Sequence, residues 1–105
     1  MNRLEILMQY LKEDPSDPFN LYAVALEMEK SNPAGALVCY EQLLIEHSEY
    51  TPTYYHAGHL YWKLGKLKEA EATFQLGIKI TGNKQEYKAQ NELKSALMNL
   101  QEEEN

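Results

Sequence analysis

The chain has little cysteine and no long apolar run. Its one cysteine, Cys39, excludes a disulfide within the chain and favours a reducing compartment, so we expect a cytoplasmic protein. Glu5 lies where a secretion signal would need apolar residues, which argues against export. No stretch approaches the roughly 18 consecutive apolar residues of a membrane span. We therefore expect no membrane association.

Positive charge is scarce in the first half of the chain. The formal net charge is -6, and residues 1–50 carry three Lys and Arg against nine Asp and Glu, whereas residues 51–105 carry seven of each sign. Proteins that bind nucleic acid usually present a basic face to the phosphates. The acidic balance argues against a nucleic-acid partner.

The sequence has no recognisable catalytic or cofactor motif. It contains no glycine-rich phosphate loop and no strand to precede one. His56 and His59 are three residues apart, which suits a metal on a helix, but no third ligand lies near them in sequence. Cys39 has no activating base beside it. We expect no enzyme activity, no metal and no cofactor.

Apolar residues recur at helical rather than alternating spacing, which predicts an all-α protein. Capping residues, proline and glycine divide the pattern into segments, as at Asp17-Pro18, Asn32-Pro33, Thr51-Pro52, Gly65 and Gly82-Asn83. The predicted helices number about six, and they cover residues 3–13, 18–30, 33–47, 52–64, 67–80 and 84–101. The connectors are short, so consecutive helices should pair as antiparallel hairpins.

Small and bulky residues alternate in residues 50–82 at steps of three and four, which stack side chains on one helix face. A small residue on one helix of a hairpin would receive a bulky residue from the other. The small residues are Gly58, Ala70 and Gly77, and the bulky ones are Tyr54, Tyr61 and Phe74. This block is predicted to be a tightly packed helical hairpin.

The chain also repeats itself with a period near 34 residues. A shift of 34 pairs Pro18 with Pro52, Ala36 with Ala70, and Tyr40 with Phe74. A repeat of this length that contains helix, turn and helix is typical of arrays of helical pairs.

Residues 51–83 resemble a tetratricopeptide repeat. The first helix of that repeat matches at Tyr54, Ala57, Gly58 and Tyr61, and the second helix matches at Ala70 and Phe74. Gly77 and Gly82 stand where the family has alanine and proline. Residues 17–50 resemble a weaker copy, through Leu21, Val24, Ala25, Met28, Ala36 and Tyr40.

The resemblance implies one domain over residues 1–105, like the small two-repeat domains of bacterial proteins. The helical hairpins would stack as a short right-handed superhelix. Its expected parts are a half-repeat helix at 3–14, repeats at 17–50 and 51–83, a capping helix at 84–101 and an acidic tail at 102–105.

A second row of side chains on the fourth helix is surplus to its core face. Tyr55, His59 and Trp62 form this row, and Lys63 lies beside it. In the family that the block resembles, the corresponding row lines a concave groove for a peptide or partner helix. The similar row on the second helix would be Tyr22, Leu26, Glu29 and Lys30. We predict partner contacts at Tyr22, Tyr55, His59, Trp62 and Lys63. The alternative is that Tyr55 and Trp62 pack under neighbouring helices.

The predicted function is a protein–protein interaction or scaffold module without enzyme activity. The peptide-carboxylate clamp of co-chaperones in this family needs a basic residue and an asparagine, but Tyr22, Tyr55 and His59 stand at those positions. The alternative is a self-assembling structural subunit, such as a homodimer. Its acidic first half would meet the lysine-bearing second half of another copy, or two first helices would pair.

Overall fold

The computed structural model describes residues 1–104, which contain six α-helices and no strand. Their bounds are α1 Arg3–Glu13, α2 Pro18–Met28, α3 Pro33–Glu46, α4 Pro52–Lys63, α5 Leu67–Asn83 and α6 Tyr87–Glu104. The prediction of six helices in an all-α chain is confirmed. The chain divides into two compact units, unit 1 from Met1 to Thr53 and unit 2 from Tyr54 onward.

Unit 1 is built on the hairpin of α2 and α3, and α1 packs against α2. The hairpin buries seven apolar residues: Leu21, Val24, Ala25, Ala36, Leu37, Tyr40 and Leu43. By contrast, α1 buries none of its residues. Leu4, Leu7 and Leu11 of this helix are partly buried, and Met8 is 52% exposed. The first helix therefore adds no fully buried residue to the core of unit 1.

Side-chain caps start the three helices of unit 1. Asn2 and Glu5 form a capping box on α1, in which Asn2 Oδ1 accepts from the Glu5 backbone N–H at 2.9 Å. Asp17 accepts from the Phe19 N–H at 3.0 Å before α2, and Asn32 caps α3. Asp17 and Asn32 each precede a proline at the first helical position, as the sequence predicted.

Unit 2 contains most of α4 and all of α5 and α6. The small residues of α5 allow its neighbours to approach closely. A Cβ added at Gly77 would lie 2.6 Å from Tyr54 Cβ and 3.0 Å from Leu93 Cδ1. The buried apolar side chains of this unit come from all three helices: Tyr54, Ala57, Leu60, Tyr61, Ala70, Phe74, Leu93, Ala96 and Leu100.

Gly65 ends α4, as predicted, because its φ of +78° continues the chain in the left-handed region. The Lys66 N–H donates to the Tyr61 carbonyl at 2.8 Å, and the Gly65 N–H donates to the Trp62 carbonyl at 2.9 Å. These two bonds form a Schellman motif and satisfy carbonyls at the helix end.

The predicted end of α5 was wrong. The helix continues through Gly82 to Asn83, and the left-handed residue is Gln85, with a φ of +60°. The Glu86 N–H donates to the Thr81 carbonyl at 2.8 Å, and the Gln85 N–H to the Gly82 carbonyl at 3.0 Å. This is again a Schellman motif, but a glutamine rather than a glycine occupies its left-handed position.

The last helix also differs from its prediction. It begins at Tyr87 rather than Lys84, because the Schellman motif occupies the intervening residues. It continues to Glu104, so the glutamates at 102–104 are helical rather than a frayed tail. Residue 105, the end of the predicted tail, lies outside the described residues. Within residues 1–104, no helix is long and apolar enough to cross a bilayer.

Candidate functional site

Helix α4 presents two rows of side chains. One row is buried in unit 2 and contains Tyr54, Ala57 and Tyr61. The other, which we call the aromatic row, consists of Tyr55, His59 and Trp62. Its spacing of four and three residues places its members on one helix face.

The three rings of the aromatic row contact one another in sequence. The Tyr55 and His59 ring centroids are 4.5 Å apart with planes tilted by 51°. His59 and Trp62 stack at 5.6 Å with 19° between their planes. The ring of His59 therefore lies between the other two, and this contact limits the conformations that they adopt.

The aromatic row is anchored to the core by the same histidine. The His59 ring meets the Phe74 ring edge-on at 5.3 Å, and Phe74 is fully buried on α5. Tyr55 is 38% exposed, while His59 and Trp62 are partly exposed. Lys63 is exposed at the end of α4. The row thus packs on the core with one edge and presents the other to solvent.

Tyr22 belongs to unit 1, where it is partly exposed on α2. Its ring meets that of Tyr50 edge-on, with centroids 5.6 Å apart and 65° between the planes. Burial raises the pKa of the Tyr22 hydroxyl above its ordinary value, and the nearby Tyr50 and Glu29 raise it further. Burial, and then the charge of Asp17, raises the pKa of Tyr50. Tyr22 is therefore surrounded by aromatic and acidic groups.

A buried hydroxyl holds Glu29 in place at the end of α2. Tyr40, which is fully buried on α3, donates a hydrogen bond from its hydroxyl to Glu29 Oε2. Burial raises the pKa of Tyr40 strongly, and the hydrogen bond to Glu29 raises it further. The hydroxyl stays protonated in the physiological range and fixes the position of the carboxylate.

The structure brings Tyr55, His59 and Trp62 together, with Lys63 next in the chain, and it places Tyr22 in a separate pair with Tyr50. The sequence prediction did not include Tyr50, which lies in the connection between α3 and α4. The row predicted on α2 did include Glu29, but the predicted partner contacts named only Tyr22 from that row.

The residues considered as metal ligands or as a nucleophile lack the neighbours that those roles need. Within residues 1–104, no three His, Cys, Asp or Glu side chains are grouped so that they could hold a metal. Cys39 Sγ lies 3.9 Å from Met28 Sδ, and burial raises the pKa of the thiol. A raised pKa lowers the thiolate fraction, so Cys39 lacks the activation that a nucleophile needs.

Comparison with known proteins identifies the family. A family model described as tetratricopeptide repeat matches residues 51–84. A tetratricopeptide repeat domain protein from Salinibacter ruber, solved by solution NMR, is 36% identical, with a TM-score of 0.79. The match covers 83% of this chain and 89% of that one. The chain belongs to the tetratricopeptide repeat family.

Other solved structures agree on the fold. A crystal structure of a tetratricopeptide repeat domain protein from Salinibacter ruber is 35% identical, covers 81% of this chain and 97% of that chain, and has a TM-score of 0.78. The type III secretion translocator chaperone SycD of Yersinia enterocolitica has a TM-score of 0.85 over 96% of this chain and 71% of its own. It is 16% identical, so it supports the fold alone. A search of curated proteins found no match.

Membership of the family gives a general function. Tetratricopeptide repeats mediate contacts between proteins, and the predicted resemblance of residues 51–83 to such a repeat is confirmed.

Proposed function

We propose that this protein is a non-enzymatic interaction module whose aromatic row on α4 binds a peptide or a helix of a partner protein. The observation that carries the proposal is the row itself. The rings of Tyr55 and Trp62 each contact the ring of His59 between them, and Tyr55 is 38% exposed. The buried row of Tyr54, Ala57 and Tyr61 already supplies the core face of α4, so the folded unit needs no second apolar row.

The chemistry of the row suits a protein partner. Tyrosine and tryptophan bury a large area, lose little conformational entropy on binding and retain a polar group at the edge of the ring. The stack on His59, which rests on Phe74, restricts the rings before a partner arrives. Restriction in the free protein lowers the entropy cost of binding. Lys63 offers an adjacent charge, and Tyr22 forms a further proposed contact on unit 1.

A random-sequence peptide library tests the proposal. The immobilised wild-type protein should enrich binding peptides, and those peptides should bind Trp62→Ala at least about tenfold more weakly, as expected for an aromatic anchor. Leu76→Ala is the matched control, because Leu76 is a large apolar residue that is 46% exposed on α5. It should retain binding. Equal retention by Trp62→Ala, or failure to enrich any peptide, would contradict the proposal.

A second candidate function is self-assembly through α1. None of the residues of this helix is buried, and Ile6, Met8 and Tyr10 are exposed. The charges of α1 favour an antiparallel pairing of this helix with α1 of a second copy, since Glu5 near the start of one helix would face Lys12 near the end of the other.

Sedimentation at several protein concentrations tests this candidate. A dimer should form in the wild type and be lost in Met8→Glu, whereas Gln9→Glu should retain it as a control for added charge. A wild-type monomer at every concentration would contradict self-assembly and leave the peptide-binding proposal standing.

The proposed setting is the cytoplasm. A lone cysteine that is partly buried needs no oxidising environment, and its raised pKa makes it slow to react.

A further inference from the structure

Unit 1 contains a carboxylate whose charge is not balanced by the residues around it. Glu29 is partly buried at the end of α2. Within residues 1–104, its carboxylate has one hydrogen bond, from the Tyr40 hydroxyl, and no ion pair. An ionised carboxylate has about four acceptor sites. Placing its charge near the protein interior is costly unless a donor or a cation compensates it.

Two of the three basic residues of unit 1 pair with a different acid. Lys30 Nζ lies 3.0 Å from Glu27 Oε2, and Arg3 Nε lies 3.3 Å from the same oxygen. Residues 1–53 contain only one further basic residue, Lys12, against nine acidic residues. Unit 1 is therefore strongly acidic, and its basic residues do not neutralise Glu29.

Two tyrosine rings lie on the side of α2 that carries Glu29. Tyr22 precedes Glu29 by seven residues, two helical turns, so the two side chains lie along one face. The Tyr22 ring packs edge-on against Tyr50 at 5.6 Å. Burial raises the pKa of the Tyr22 hydroxyl most, and the charges of Tyr50 and Glu29 raise it further. Aromatic faces and carboxylates both attract cations.

We infer that Tyr22 and Glu29 form a site for a cationic side chain, arginine or lysine, in the segment that this protein binds. The carboxylate would pair with the charged group, and the tyrosine ring would cover its alkyl stem or guanidinium plane. Tyr40 is a positioning residue, since its buried hydroxyl holds the carboxylate that would contact the cation. The inference rests on the proposed function and adds the charge of the partner to it.

The peptide library selected on the wild-type protein tests this inference. The enriched peptides should share an arginine or lysine. Their affinity for Glu29→Gln should be lower by about tenfold or more, because a hydrogen bond to a charged group is lost. Glutamine keeps an acceptor for Tyr40, so this variant preserves the internal hydrogen bond. Where the shared residue of the peptides is arginine, replacing it by citrulline, which is neutral, should weaken binding to the wild-type protein to the same extent.

Glu13→Gln is the matched control for overall charge. Glu13 is exposed at the end of α1, and its replacement removes the same charge from unit 1. It should change affinity by less than about twofold. If the enriched peptides share no arginine or lysine and depend on Trp62, the cation site is contradicted while the proposed function stands. Equal weakening by Glu13→Gln and Glu29→Gln would also contradict the site, because it would indicate a general effect of charge.

Discussion

The ring of Phe74 fills the space that a side chain at Gly58 would occupy. A Cβ built on Gly58 overlaps three ring carbons of Phe74, which is fully buried. Because Gly58 has no side chain, the Phe74 ring of α5 can lie directly against the backbone of α4. Because His59 also rests on Phe74, this contact connects the core of unit 2 to the aromatic row.

Gly58→Ala should destabilise the protein by about 1–3 kcal/mol, because the added methyl group displaces a packed aromatic ring. Urea denaturation followed by circular dichroism gives the free energy of unfolding. Gly82→Ala is the matched control, since its Cβ would meet only the flexible end of the Gln90 side chain. The free energy of unfolding of Gly82→Ala should be within about 0.5 kcal/mol of the wild-type value, because the higher helix propensity of alanine offsets the cost of moving the Gln90 side chain. Equal effects of the two variants would contradict the packing argument.

The two Schellman motifs predict opposite responses to glycine and alanine. Gln85 adopts a φ of +60°, at a cost that glycine does not incur, so Gln85→Gly should stabilise the protein by about 0.5–1 kcal/mol. Gly65 adopts a φ of +78° with no heavy atom near its missing Cβ, so Gly65→Ala should destabilise it by about 1 kcal/mol through backbone strain alone. Thermal melting measures both. A lower melting temperature for Gln85→Gly would contradict the assigned backbone conformation.

Two fully buried threonines differ in the partners of their hydroxyl groups. Thr53 Oγ1 has no hydrogen-bond partner within residues 1–104, whereas Thr81 Oγ1 donates to the Gly77 carbonyl at 2.7 Å. Thr53→Val should therefore stabilise the protein by about 1 kcal/mol, because it removes a buried hydroxyl without a partner. Thr81→Val should destabilise it by about 1 kcal/mol, because a hydrogen bond is lost. Denaturant unfolding of both variants gives the sign of each change, and a shared sign would contradict this explanation.

Stability should fall in alkaline solution because the pKa of Tyr40 is raised in the folded state. Burial disfavours the tyrosinate most, and the hydrogen bond to Glu29 adds to this. The resulting stability is fully present below the ordinary tyrosine pKa of 10.0 and is lost as the pH rises above it. The free energy of unfolding should decrease between about pH 9 and about pH 11.

The matched variant for this pH dependence is Tyr40→Phe. It should be less stable by about 1 kcal/mol near neutral pH, because Glu29 loses its hydrogen-bond donor. It should also lose less stability in alkali, although Tyr22 and Tyr50 still contribute. If the free energy of unfolding of Tyr40→Phe falls with rising pH as steeply as that of the wild type, the loss of stability in alkali comes from another group.

Much of the fold could be predicted because its signals are local. Asp17 and Asn32 before prolines predict helix starts. The alternation of small and bulky residues predicts that α4 and α5 pack as a hairpin, and the contact of Gly58 with Phe74 is one such pairing. These signals depend on neighbours along one or two helices. The aromatic row was found in the same way, since its spacing places Tyr55 and Trp62 on one face.

The errors arose where no local signal exists. Glycine marks a left-handed helix end, but Gln85 adopts that conformation without any such mark, so α5 was predicted too short. The bond between Tyr40 and Glu29 joins two helices, and nothing in the spacing of either residue indicates it. Likewise, the helical spacing of apolar residues predicts α1 but not the burial of each residue, because burial depends on the surrounding helices, and Met8 is exposed.

The central claim is that the aromatic row binds a partner, and Trp62 provides a direct measurement because it is the only tryptophan in the chain. A peptide enriched on the wild-type protein is titrated while Trp62 fluorescence is followed, and calorimetry measures the same affinity independently. The account predicts a saturable shift of the emission to shorter wavelength, with a Kd equal to the calorimetric value, because binding removes water from the indole. Calorimetric binding with unchanged Trp62 emission would place the partner elsewhere and contradict the claim.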